Sequence, residues 1–226
     1  DIDFGLSRKD YERLKDIFEK YFSDIYEIRC PNSSNSNGNR FMQIFKKGTF
    51  LKIVGEENPL QPQSVSIDVF PYDFVPENAV VRKLKGTRAN ILMFIASCVM
   101  DEMYMNEEYR EFLNKSKEGS LFLKIRSFTG QVFSWRKPER WFDLVDKSIR
   151  YKKTKLLTSA TGRRHYFGEI YPVADFFPLA EMEFIDHKFY VPGKWKEYLK
   201  GNYGDDYMTP PAVNKRESHF IKEISL

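Results

Sequence analysis

Within the first 22 residues the side-chain period changes once, and that change fixes the local architecture. Asp1 to Leu6 alternate, with Asp1 and Asp3 on one side and Ile2 and Phe4 on the other, as in a strand. Behind them Tyr11, Leu14, Ile17, Phe18, Tyr21 and Phe22 recur at helical spacing. Between the two patterns Ser7 and Asp10 make an S-x-x-D capping box. The spacing predicts a strand, a tight turn and an amphipathic helix. The acids of the strand then stand beside a helix N-terminus, where backbone N–H groups favour bound phosphate.

Further along, Arg40–Phe45 and Thr49–Val54 read as two strands of a hairpin around Lys47-Gly48. Val65–Phe70 reads as a third strand, interrupted by Asp68 between Ile67 and Val69 and ended by Pro71 and Pro76. Glu77 to about Lys115 is helical in pattern, with Val80, Val81, Leu84, Ile91, Leu92, Ile95, Cys98 and Val99 on its buried stripe and Gly86 as a candidate break. Leu121–Val132 reads as helix, and Pro138 suits the first position of another helix, to Tyr151. Short aromatic-rich strands follow, then a helix over Lys194–Lys200. A turn at Tyr203–Asp206 follows, in which Gly204 takes a positive φ, and Pro210-Pro211 close the folded part. The expectation is one α+β domain over residues 1–226, mainly helical through 77–151, with a C-terminal aromatic-rich block at 166–211.

Composition narrows the function. Lys+Arg is 36 against 32 Asp+Glu, a net charge of +4; that excess argues for no nucleic-acid partner. Two cysteines, Cys30 and Cys98, make no disulfide framework and suit a reducing compartment. His165, His187 and His219 show no zinc spacing. The longest apolar run, Ala89 to Met100, is short of the roughly 20 residues a membrane span needs.

The chemistry rests on three carboxylates. Asp1 and Asp3 lie roughly 6–7 Å apart along one strand face. Asp68 is an acid inside an apolar strand, and if the two strands are neighbours all three can converge. Hard carboxylate oxygens suit Mg²⁺ or Mn²⁺, which keep sites for substrate phosphate. Such a centre serves phosphoryl-type transfer.

Three separated blocks, in order, carry a family resemblance. DIDFGLSRKDYERL, SIDVFPYDFVP and FPLAEMEFIDHKFYVPGKWKEYLKGNYGDDYMTPP resemble the motifs of the LicD-type phosphotransferases. The last runs through Val-Pro and a Tyr-Leu helix to a Tyr-Gly-Asp-x-Tyr-x-x-Pro-Pro turn. The resemblance implies a nucleotidyltransferase-like mixed sheet flanked by helices. It implies transfer of a phospho-alcohol, phosphocholine as first expectation, from a CDP-linked donor such as CDP-choline to a glycan or lipid-linked glycan hydroxyl, with release of CMP. Asp1 and Asp3 match the D-x-D pair and Asp68 the third acid, all three as metal ligands for Mg²⁺ or Mn²⁺.

Secondary candidates follow from the same blocks. Arg8 holds a phosphate or is a solvated helix charge. Asp73 orients the surroundings of Asp68 or caps a turn. Asp205, Arg216 and His219 reach the substrate or belong to a turn and a tail. Trp135, Trp141 and Trp195 are core or rim aromatics, and an aromatic cage would suit a choline headgroup. The family's preceding Gly-x-x-Arg and Trp-Asp-Asp stretch is not in this sequence, which suggests a fragment with weakened nucleotide binding. Relatives of this kind suggest a cytoplasmic site at the inner membrane face, with peripheral contact to lipid. The rival readings are a glycosyltransferase that uses D-x-D and an inert glycan-binding relic.

Overall fold

The computed structural model describes residues 3–33, 36–53, 60–212 and 221–226. It is an α+β arrangement, a mixed sheet with helices packed against it. β1 (Asp3–Ser7) leads directly into α1 (Arg8–Tyr21). Ser7 caps the helix: its Oγ accepts from the Asp10 N–H at 3.3 Å and donates to Asp10 Oδ2 at 2.6 Å. β2 (Tyr26–Arg29), β3 (Met42–Lys46) and β4 (Phe50–Ile53) follow, then β5 (Ser66–Phe74). β5 is the organising strand. It pairs in parallel with β1 and antiparallel with β3 and β6 (Leu156–Thr158), and β3 pairs with β2.

Between β5 and β6 the chain inserts four helices: α2 (Ala79–Tyr104), α3 (Glu107–Asn114), α4 (Lys117–Phe133) and α5 (Pro138–Ile149). After β6 come the short α6 (His165–Gly168), β7 (Ile170–Pro172) and α7 (Val173–Phe176), then the hairpin of β8 (Ala180–Phe184) and β9 (His187–Val191), α8 (Trp195–Tyr203) and β10 (Ile221–Ser225). Gly204 has φ +93° at the end of α8, as the turn requires. None of the described helices is long and apolar enough to cross a membrane.

Two apolar clusters form. In one, Tyr11 of α1 packs on Ile28, Met42, Ile44 and Val69 of the sheet. In the other, Ala89, Met93, Val99, Trp141, Val145 and Tyr166 join α2 and α5 to the end of β5 at Val75. Cys30 and Cys98 are buried thiols.

Several expectations need correction. The β3–β4 hairpin does not form: β3 is taken up by β2 and β5, and β4 pairs instead with β10, antiparallel. The fold therefore continues past Pro210-Pro211. β5 runs through Pro71 to Phe74, because Pro71 lies beyond Val69, the last residue β3 pairs with, where that edge asks for no donor. The long helix is two, parted at Met105-Asn106.

The stripe of α2 holds in its second half, where Ile95, Cys98 and Val99 are buried as expected. Its first half is rotated: Val80, Leu84 and Ile91 are 54–68% exposed, while Gly86, Ala89, Met93 and Ala96 face the core. Gly86 does not break α2. A Cβ there would stand 2.4 Å from both Tyr166 and Phe167, so the glycine is where the helix meets α6. Gly86→Leu is expected to destabilise the fold by about 1–3 kcal/mol through overpacking, read as a lower urea midpoint. Leu84→Gln on the open side should leave the midpoint within about 0.5 kcal/mol of the parent.

Candidate active site

The alternation of β5 sorts its side chains into two sets. Val69, Pro71 and Asp73 are buried. Asp68, Phe70 and Tyr72 point to the other face. On that second face Asp3 of β1 is the register partner of Asp68. Register partners on neighbouring strands stand about 4.8 Å apart in backbone and share a face. The condition set by the sequence, that these two strands be neighbours, is met. Asp3 is exposed and Asp68 half-buried.

The row continues across the sheet. Gln43 of β3 is the antiparallel partner of Asp68, and Arg29 of β2 is the partner of Gln43. Gln43 donates from Nε2 to Asp68 Oδ1 at 3.0 Å. Its own Oε1 accepts from Asn39 Nδ2 at 2.7 Å, and Asn39 is buried. This amide relay fixes one oxygen of Asp68. Gln43 was open to discovery in the sequence as the polar residue of Met-Gln-Ile-Phe, but only pairing reveals which acid it faces.

Further along the same face an aromatic group collects. Tyr72 packs edge-on to Phe176 with centroids 4.9 Å apart, and Tyr198 packs on Tyr171 at 5.1 Å. The Tyr72 and Tyr198 hydroxyls lie 3.2 Å apart. Burial pushes the Tyr72 phenol far above its ordinary value. Gly5 admits this ring, since a Cβ at Gly5 would stand 2.2 Å from it. Trp141 is buried in the helical core and Trp135 is exposed; neither joins this group.

The secondary candidates divide. Arg8 is not a solvated charge. It donates from Nε and Nη2 to Asp73 at 2.9 and 2.6 Å, and from Nη1 to Asp146 Oδ1 at 2.7 Å. Burial alone would lower its pKa, and the two carboxylates overcome that and raise it. Asp73 caps no turn and does not face Asp68; it sits on the buried side, with both oxygens accepting from Arg8. Burial pushes its carboxyl up while the Arg8 bonds pull it down, and the two-pronged geometry favours the ionised form. Asp146, unrecognised in the sequence, also accepts from Asn32 Nδ2 at 2.7 Å and from Arg150 Nη2 at 2.6 Å. Its signal was an acid inside the apolar face of α5. Asp205 is highly exposed and pairs with Lys200 at 3.4 Å, at the end of α8. Asp1, Arg216 and His219 lie outside the described residues.

Among the described residues no group of three or more His, Cys, Asp or Glu is placed to hold a metal. Asp3 and Asp68 supply two hard carboxylates on one face, a donor set that fits a magnesium-type ion if solvent and substrate oxygens complete it. The chain matches no family model, no curated protein and no solved structure.

Arg8→Met would leave two buried carboxylates short of their cation. It is expected to cost about 3–5 kcal/mol, seen as a large fall in thermal midpoint. The pair Arg8→Met with Asp73→Leu should recover part of that loss.

Proposed function

We propose that this chain is a LicD-like, metal-dependent phosphotransferase that moves a phospho-alcohol, phosphocholine first, from a CDP-linked donor to a glycan hydroxyl. The observation that carries the reading is the pairing of Asp3 with Asp68 on adjacent parallel strands. Two acids from sequence-distant segments meet on an accessible face, beside a capped helix. The three motif blocks quoted above supply the choice of donor.

In this reading Asp3 and Asp68 hold Mg²⁺ or Mn²⁺, and the metal supplies charge neutralisation for the transferring phosphoryl group. The acceptor oxygen bonds to the phosphorus that carries the alcohol. The bond from that phosphorus to the CMP oxygen breaks, and CMP leaves with the electron pair. The hydroxyl proton passes to water or a nearby base. Gln43 keeps Asp68 turned to its task, and the aromatic group around Tyr72 bounds the same face.

The test is release of CMP from CDP-choline with and without Mg²⁺. Release should require the metal and fall at least about 100-fold in Asp3→Asn and in Asp68→Asn. Gln43→Ala, which frees Asp68 without removing it, should lose about 10–100-fold, the range for groups that orient metal ligands. Metal-independent release, or full activity in Asp68→Asn, would overturn the assignment. Release of UDP from a UDP-sugar instead would favour the glycosyltransferase.

A further inference from the structure

A cavity of about 590 Å³ opens between the segment leading into β3 and helix α2, with Arg40, Gln43, Asn90, Phe94, Arg126 and His165 in its wall. Gln43 joins it to the acid pair, because the same side chain bonds Asp68. The two arginines of the wall differ. Arg126 is committed: it is ion-paired with Asp101, bonds Ser97 Oγ at 2.5 Å and lies over the Phe94 ring. Among the described residues Arg40 has no carboxylate in ion-pair range. Its guanidinium lies 5.5 Å from the ring of its neighbour Phe41. Surrounding protein lowers its pKa, and the charge of Asp68 opposes that.

Arg40 is exposed at the cavity wall, and its planar fork fits phosphate oxygens. The rest of the wall suits the organic part of such a ligand. Phe94 and Phe142 offer flat apolar surface, and Asn90 and Gln61 offer amide donors and acceptors. We propose that this cavity is the phosphate-ligand site of the chain, with Arg40 gripping the anion beside Asp3 and Asp68. The choice of ligand class rests on the phosphotransferase reading; the site itself rests on Arg40 and the cavity.

His165 gives a reporter that owes nothing to turnover. Its imidazole is held below its ordinary pKa by partial burial and then by the charge of Arg40. The adjacent Arg164 is turned away, bonding the carbonyls of Gly201 and Asn202. An anion on Arg40 would cancel the repulsion, so the His165 pKa should rise.

The experiment is calorimetric titration of the full chain with inorganic pyrophosphate and Mg²⁺, alongside proton NMR titration of His165. Arg40→Met should weaken binding at least tenfold at an unchanged thermal midpoint, and Arg40→Lys should restore part of it. Pyrophosphate should raise the His165 pKa in the parent and not in Arg40→Met. Lys147→Gln, in the larger basic cavity of about 830 Å³ beside α5, should bind as the parent does. Parent-like binding by Arg40→Met, or loss of binding in Lys147→Gln, would overturn the proposal. Arg40-dependent binding without CMP release would retire the transferase reading and keep this site. CMP release with an unchanged KM in Arg40→Met would do the reverse.

Discussion

The charged cluster around Arg8 holds the two halves of the fold in register. Arg8 begins α1, Asp73 lies near the end of β5, and Asp146 sits in α5. Asp146 also takes the side-chain amide of Asn32, and Arg150 reaches across to Glu12 of α1 at 2.5 Å. The cluster thus spans the seam between the apolar group under α1 and the one between α2 and α5. Buried charge of this kind is a poor source of net stability against apolar residues of equal size. Its effect is specificity of position. A shift of α1 along β5 would strand two carboxylates, so the strand-to-helix turn that carries Asp3 is placed by charge as well as by packing.

A strand's period of two then separates architecture from chemistry. Asp68 and Asp73 are five residues apart on β5, an odd number, so they face opposite sides. One is half-buried on the face shared with Asp3; the other is sealed beneath α1. A slip of one residue in β1 would turn Asp3 to the face opposite Asp68. Phe4 and Leu6 of β1 pack against the cluster that contains Val69, which opposes that slip.

Local pattern made much of this readable. The strand, the Ser7 cap, helix α1 and the Pro138 helix start were all legible from periodicity and cap chemistry. Contacts distant in sequence were not. β4 finds its partner some 170 residues later in β10, and no local signal in either strand names the other. The face of the first half of α2 was misread because the helix is apolar almost all round, while Ile95, Cys98 and Val99 are buried as expected. What decides its buried side is where α4, α5 and α6 lie: Gly130 of α4 approaches the Cys98 carbonyl, and Gly86 meets Tyr166. The opposite faces of Asp68 and Asp73 were in the sequence all along, as a count of residues.

Two arginines show what separates a structural charge from one held for a ligand. Each lies near an acid of β5, and each follows or precedes a strand. Arg8 directs three nitrogens at two carboxylates, so its charge is compensated inside the fold. Arg40 is exposed and faces a cavity, and Asp68 acts on it only at a distance. Only the first has internal compensation, from Asp73 and Asp146. Arg40 lines the cavity that Gln43 joins to Asp68, so in the proposed reading a divalent ion on the acid pair and the guanidinium would neutralise a phosphate group from two sides.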